Sequence, residues 1–254
     1  MGRCLVRAIR ESDDFTLTGA LASPDSSSLG HDAGEVALTG PVAVEVTADR
    51  GRALAKAAIA IDFTLPEATA DNLAATAARH IPIVIGTTGL DAERHALIRR
   101  ASEKLPVLVA PNMSLAVNLF FSLVGSAAAA LPPDYDIEIV DAHHRHKADA
   151  PSGTALRLGE IAAGARNTTL GNVGVYGRAG RGTTRSPGAI GFSSVRAGDI
   201  VGEHHVLFAG SGETLELVHR ATDRMTFAYG ALAAARWLSS RQPGLYGMSD
   251  VLGL

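Results

Sequence analysis

The sequence predicts an α/β fold: a doubly wound parallel sheet, followed by an α+β domain built on an open, mostly antiparallel sheet. Three observations carry that prediction. Between residues 57 and 114, short apolar runs that end in small or hydrogen-bonding residues alternate with helix-length segments. At 134–155 a strand-like stretch runs into a cluster of basic side chains and then a proline-marked helix start. After it, residues 171–219 break into strand-length runs separated by turns.

Taken in order, Met1 to Arg10 reads as a helix with Leu5, Val6 and Ile9 on one face, and Leu17 to Leu21 as a strand. Pro24 to Gly30 is a loop by composition. Ala58 to Ile61 is an apolar run of the kind buried on both faces, ending in Asp62-Phe63-Thr64, and Pro66 and Glu67 open a helix toward Arg79. Ile81 to Ile85 ends in Gly86-Thr87-Thr88-Gly89, and Val107 to Ala110 in Pro111-Asn112-Met113-Ser114. Such strands, joined by helices, imply right-handed crossovers, and open sheets of this kind take ligands at their carboxyl ends. Asn118 to Leu131 is a helix broken by Pro132-Pro133, so a domain boundary falls near Ser114. Beyond it, Val173 to Tyr176, Phe192 to Val195, Glu203 to Phe208 and Thr214 to His219 read as strands. Gly177 to Gly191 is a glycine-rich connection, Arg196-Ala197-Gly198-Asp199 a turn, and Phe227 to Trp237 an apolar helix.

The chemistry concentrates between Asp134 and Ala155. Tyr135, Ile137 and Ile139 alternate with Asp136, Glu138 and Val140, the period of a strand with one wetter face. His143, His144, Arg145, His146 and Lys147 then gather up to five protonatable nitrogen side chains, and their mutual repulsion favours giving up a proton near neutral pH. Pro151 and Ser152 mark a helix entrance with Gly153 and Thr154 in its first turn. Free amides and the positive end of the helix dipole make that turn a seat for a carboxylate or phosphate. The combination suits an acid that works on a small anion.

Blander readings compete for several residues. The histidines could hold a metal. However, His143 and His144 point to opposite faces of an extended chain, and neither a cysteine partner nor His-Glu-x-x-His spacing is present, so no metal is expected. His204, His205 and His219 fall on predicted strands and read as satisfied sheet residues. Cys4 reads as a free thiol in a helix, and Trp237 as a core or interdomain residue.

Composition sets the outer bounds. At 254 residues, 46% hydrophobic and 19% charged, the chain is an ordinary globular protein. A net charge of −3 argues against a nucleic-acid partner, and no apolar run reaches membrane-spanning length. One cysteine excludes an internal disulfide and fits a reducing compartment, so a cytoplasmic location is expected.

The stretch Glu138 to Ala155, with its HHRHK and DAPSGT runs, resembles the signature of the dihydrodipicolinate reductase (4-hydroxy-tetrahydrodipicolinate reductase) family. Ser27 to Gly34 and the RAGDIVGEH run at Arg196 to His204 match the same family. The resemblance implies a Rossmann-like nucleotide-binding domain over residues 1–114 plus 225–254, and a substrate-binding and oligomerisation domain over 115–224. It implies NADH or NADPH as cofactor, and reduction of a small cyclic dicarboxylate on the diaminopimelate route to lysine. It implies a homotetramer, with no membrane partner. His143 would be the proton donor and Lys147 a second one. His144, Gly153 and Thr154 would hold the substrate's carboxylates. Gly86, Thr87, Thr88, Ala110, Pro111, Asn112 and Met113 would contact the nucleotide.

Two features depart from the family pattern. Of its Gly-x-x-Gly-Arg-Met-Gly turn only Met1 and Gly2 are present, so Met1 is assigned to the cofactor site on what remains, and the opening strand is expected to lie upstream of an internal methionine. At the end of the Leu17 to Leu21 strand, Ala22 and Ser23 stand where an acid or a base would select the cofactor. The rival from another class is therefore a binding or regulatory relative that lost redox activity. An aspartate dehydrogenase-like reductase is a second rival, against which the combined HHRHK and DAPSGT runs speak.

Overall fold

The computed structural model describes residues 1–182 and 184–254. Thr183, inside the glycine-rich connection, lies outside the described residues. Two compact units form, one from Met1–Leu115 with Met225–Leu254 and the other from Ala116–Arg224.

In chain order the first unit opens with α1 (Gly2–Arg10), β1 (Ala20–Leu21), α2 (Ala33–Val36), β2 (Val46–Thr47) and α3 (Arg50–Ala53). It continues with β3 (Ala60–Asp62), a 3-10 turn at Pro66–Ala68, α4 (Thr69–Ala77), β4 (Ile83–Ile85), α5 (Ala92–Ser102) and β5 (Pro106–Val109). The second unit holds most of α6 (Leu115–Ala130), then β6 (Asp136–His143), α7 (Gly153–Ala165), α8 (Leu170–Val173), β7 (Gly174–Val175), β8 (Ile190–Arg196), β9 (Gly202–Ala209) and β10 (Thr214–Ala221). The chain returns to the first unit with α9 (Met225–Leu238), β11 (Gly244–Tyr246) and α10 (Met248–Leu252).

The first unit has the parallel character predicted, in two pieces. β11, β5, β4 and β3 form a parallel sheet in that order, while β1 and β2 pair separately. Ile83, Val84, Ile85, Val107 and Leu108 are fully buried or nearly so, each contributing about 1.5–3 kcal/mol relative to exposure. The strand expected over Leu17 to Leu21 contracts to Ala20–Leu21. α2 and α3 were not expected. Each is one turn, nucleated by an aspartate that accepts from first-turn amides: Asp32 from Gly34 and Glu35, and Asp49 from Arg52. The predicted helix at Pro66 begins as the 3-10 turn before settling into α4.

In the second unit the sheet order is β10-β9-β6-β8-β7. The expected open sheet is present, with antiparallel and parallel pairs mixed. β10–β9 and β9–β6 are antiparallel, but β6–β8 and β8–β7 are parallel. α7 carries the chain from β6 toward β7, and a second return between Val175 and Ile190 makes β8 run in the same direction as β6 and β7. Ile137, Ile139, Val206, Phe208 and Phe192 bury their side chains in one core with Leu158 and Ala162 of α7 and Val124 of α6. Among the described residues no helix is long and apolar enough to cross a membrane.

α9 fixes the shape of one strand-end loop. Gly230 sits against the backbone at the end of β5, where an added Cβ would lie 1.8 Å from the Met113 carbonyl oxygen. Gly164 of α7 has open space instead. Gly230→Ala is expected to destabilise the protein by about 3 kcal/mol in urea titration. Gly164→Ala should be neutral or stabilising by up to about 1 kcal/mol. Equal midpoints for the two variants would contradict the close approach.

Candidate active site

The candidate cluster is built on β6, whose inward row is Ile137, Ile139, Asp141 and His143. Two apolar positions are thus followed by two ionisable ones on the same buried face. Asp141 is 1% exposed and His143 9%. His143 Nδ1 lies 3.0 Å from Asp141 Oδ2, and the Arg196 guanidinium reaches the same oxygen at 3.0 Å. Ser194 Oγ donates to Asp141 Oδ1 at 2.6 Å. Burial alone would raise the Asp141 carboxyl, but the bonds from His143, Ser194 and Arg196 outweigh it and bring its pKa down to about 2.

The basic turn after β6 is held by backbone pairing to the next turn of the sheet. Ala197 N–H donates to His143 O at 2.9 Å, Arg145 N–H to Gly198 O at 3.2 Å, and Lys147 N–H closes back on His144 O at 3.1 Å. One of its cations has a carboxylate partner, which mutual repulsion among the basic groups does not anticipate. Lys147 Nζ is 2.8 Å from Asp149 Oδ1, and Arg196 Nη2 donates to the Asp149 carbonyl at 2.7 Å. His144 keeps a buried Nδ1 with no partner among the described residues.

α7 starts as expected. Ser152, 2% exposed, is its N-cap and accepts from Ala155 N–H at 3.2 Å. Beside Gly153 no atom lies within 4 Å of where a Cβ would stand, so the helix start has room at that position. His204, expected to be a satisfied sheet residue, is central instead. Its Nε2 lies 3.2 Å from Ser152 Oγ, and its ring meets the His143 ring edge-on with centroids 5.2 Å apart. Its Nδ1 is buried and unpartnered among the described residues. Burial, joined by positive charge at His143, His219 and Lys147 and opposed by Asp141, brings its pKa down to about 3, so it is neutral.

The predicted nucleotide residues lie in the first unit, at the carboxyl ends of β4 and β5. Gly86, Thr87, Ala110 and Met113 are buried, whereas Thr88, Pro111 and Asn112 keep surface. The buried ones shape the loops. Thr87 Oγ1 donates to Thr64 O at 3.1 Å, and a Cβ on Gly86 would fall 2.5 Å from the Phe63 ring. Asn112 Oδ1 accepts from Ser114 N–H at 2.9 Å. Met1 precedes α1 and packs partly buried against the core of this unit. Small loops at parallel strand ends, with glycine where backbone must come close, fit a nicotinamide nucleotide.

A parallel nucleotide-binding sheet, joined in one chain to a unit bearing an anchored imidazole beside a helix start, defines a nicotinamide-dependent oxidoreductase. Comparison with known proteins narrows the class. Residues 1–113 match the family described as dihydrodipicolinate reductase, N-terminus, and residues 116–252 match dihydrodipicolinate reductase, C-terminus. The 4-hydroxy-tetrahydrodipicolinate reductase of Thiobacillus denitrificans is 52% identical over 254 residues, covering 100% of this chain and 95% of the relative. That of Nitrosomonas europaea is 50% identical over 254 residues, covering 100% and 94%. Among solved structures, the dipicolinate-bound dihydrodipicolinate reductase of Paenisporosarcina sp. TG-14 has the same fold, with a TM-score of 0.77. It is 24% identical, covering 98% of this chain and 94% of that one. The chain belongs to the dihydrodipicolinate reductase family, and its cofactor is a nicotinamide dinucleotide.

Asp141, Ser194, Arg196 and His204 were not singled out from the sequence as site residues. Asp141 had a local signal, since it stands two residues before His143 on the same strand face. Arg196 and His204 bound the RAGDIVGEH run that matches the family, whereas Ser194 had no signal, and register across the sheet brings all three in.

His204 gives the site a pH signature. An unfolded imidazole takes up a proton near 6.5 and the folded one only near 3, so the unfolded chain binds more protons between those values. His204 therefore contributes stability fully above about pH 6.5, and loses it as pH falls toward 3. His204→Gln should flatten the fall of the urea midpoint across that window. Parallel profiles for variant and parent would show that His204 is not buried neutral.

Proposed function

We propose that the chain catalyses the NAD(P)H-dependent reduction of (2S,4S)-4-hydroxy-2,3,4,5-tetrahydrodipicolinate to (S)-2,3,4,5-tetrahydrodipicolinate, with release of water, in the diaminopimelate route to lysine. The observation that carries the assignment of roles is the anchored imidazole. His143 has one ring nitrogen bound to a buried carboxylate and stands one ring away, through His204, from the N-cap of α7.

The nucleotide supplies the hydride. Loss of the 4-hydroxyl as water leaves a conjugated imine, and hydride addition to it leaves an electron-rich enamine carbon that needs a proton. His143 gives that proton. Lys147, oriented by Asp149, is the second donor and a cation for the dianionic substrate. Gly153 and Thr154 offer first-turn amides of α7 to one carboxylate, and His144 brings its buried Nδ1 side, which has no partner among the described residues, to bind. On the nucleotide side Thr88, Pro111 and Asn112 carry the exposed contacts, and Met1, Gly86, Thr87, Ala110 and Met113 set the shape of the seat.

Ala22 and Ser23 follow β1 and carry neither a carboxylate to repel a 2′-phosphate nor a cation to hold one. The enzyme accordingly takes both NADH and NADPH. The working assembly is a homotetramer, for which light scattering should give a mass near four chains.

Steady-state kinetics test the roles. His143→Ala should lower kcat by about a hundredfold or more with KM changed little, while Lys147→Ala should lower kcat and raise KM. KM values for NADH and NADPH should agree within about tenfold. Unchanged turnover in both variants would end the assignment.

A further inference from the structure

We propose that Asp141 is a positioning residue for this reduction: clamped by Ser194 and Arg196, it anchors His143 through Nδ1, so that Nε2 is the nitrogen that delivers the proton. The inference rests on the role proposed for His143 and adds the device that sets which ring nitrogen acts.

The donors around Asp141 leave little freedom. Oδ1 takes the Ser194 hydroxyl at 2.6 Å, and Oδ2 takes both Arg196 at 3.0 Å and His143 Nδ1 at 3.0 Å. A carboxylate has no proton to offer, so the His143 nitrogen facing it must be the one that carries hydrogen. The carboxyl stays ionised far below neutral pH, so this constraint holds throughout the working range. Nε2 then faces the space left by Gly202, where an added Cβ would lie 3.1 Å from it.

A purely structural role explains this arrangement poorly. The inward row of β6 is apolar up to Ile139, and a third apolar side chain at 141 would avoid the cost of burying a charge. Instead the row carries an ion aimed at the predicted proton donor. The same clamp extends to the second donor: Arg196 also holds the Asp149 carbonyl at 2.7 Å, and the Asp149 carboxylate holds Lys147 Nζ at 2.8 Å. Ser194, Asp141, Arg196 and Asp149 thus form one network that orients both His143 and Lys147. His204 is the other titratable group beside Asp141, opposite it in the β9 register, and it is neutral.

The test compares Asp141→Ala, Asp141→Glu and Ser194→Ala with the parent enzyme and His143→Ala, using the dicarboxylate substrate and saturating nucleotide. Asp141→Ala should lower kcat by about ten- to a hundredfold while KM moves by less than about threefold. Asp141→Glu should recover most of that loss, and Ser194→Ala should cost about threefold in kcat. Nitrogen-15 spectra of the histidines should show the neutral His143 ring as the Nδ1–H form in the parent and as a mixture in Asp141→Ala. If Asp141→Ala does not fold, Ser194→Ala and Asp141→Glu decide: full kcat in the first together with inactivity in the second would overturn the proposal. An Asp141→Ala enzyme within twofold of the parent, beside an inactive His143→Ala enzyme, would also overturn it while leaving the function of His143 intact. Full activity in His143→Ala would instead remove the reading on which the proposal rests.

Discussion

A carboxylate sealed inside a sheet must be answered by donors on every side, and that requirement organises the second unit. Asp141 sits at the point where the inward row of β6 changes from isoleucine to ionisable groups, and the neighbours that answer it come from its own strand and from β8. Ser194 and Arg196 arrive through the parallel β8, and His143 lies one pleat further along β6. Without Arg196 the carboxylate would lose its cationic partner in a low-dielectric interior, where an unpaired ion costs several kcal/mol. The ordering of the basic turn follows, because Arg196 is shared between Asp141 and the Asp149 backbone.

His204 shows the opposite solution to the same constraint. Shut away from water, with His143, His219 and Lys147 acting in the same direction and Asp141 against it, it discards its proton rather than pairing it. The result is a neutral ring between the N-cap serine of α7 and the anchored His143, able to connect them without adding repulsion to a site that must accept anions. Of the two buried histidines, the one with a carboxylate partner is suited to carry a proton and the one without is suited to stay uncharged.

How much of this was legible in sequence depended on range. Strands β3, β4 and β5 could be read because an apolar run buried on both faces is its own signal, and the start of α7 because proline, serine and glycine punctuate it within three residues. The two-residue β1 and β2 carry too few side chains for periodicity, and the one-turn α2 and α3 exist through single aspartate caps. The parallel half of the second sheet carries no such signal, because turn-rich composition suggests hairpins, while the decisive elements are the two returns, through α7 and between Val175 and Ile190. The clamp around Asp141 was out of reach for a related reason. Its partners stand fifty-three and fifty-five positions away, and only the pairing of Asp141 with Ser194 and of His143 with Arg196 across β6 and β8 makes them neighbours.

The first unit is closed by the last thirty residues of the chain. β11 supplies the outer neighbour of β5, and α9 fills the core with Ala228, Ala231, Leu232 and Ala235 against Leu5 and Ala8 of α1. On the ribosome, residues 1–115 therefore emerge long before their own hydrophobic surface can be covered, whereas the second unit is contiguous and can pack as soon as it is made. The first unit is the late-maturing one. Loss of the C-terminal tail would deprive it of an edge strand and its main internal helix while leaving the second unit with every residue of its own core.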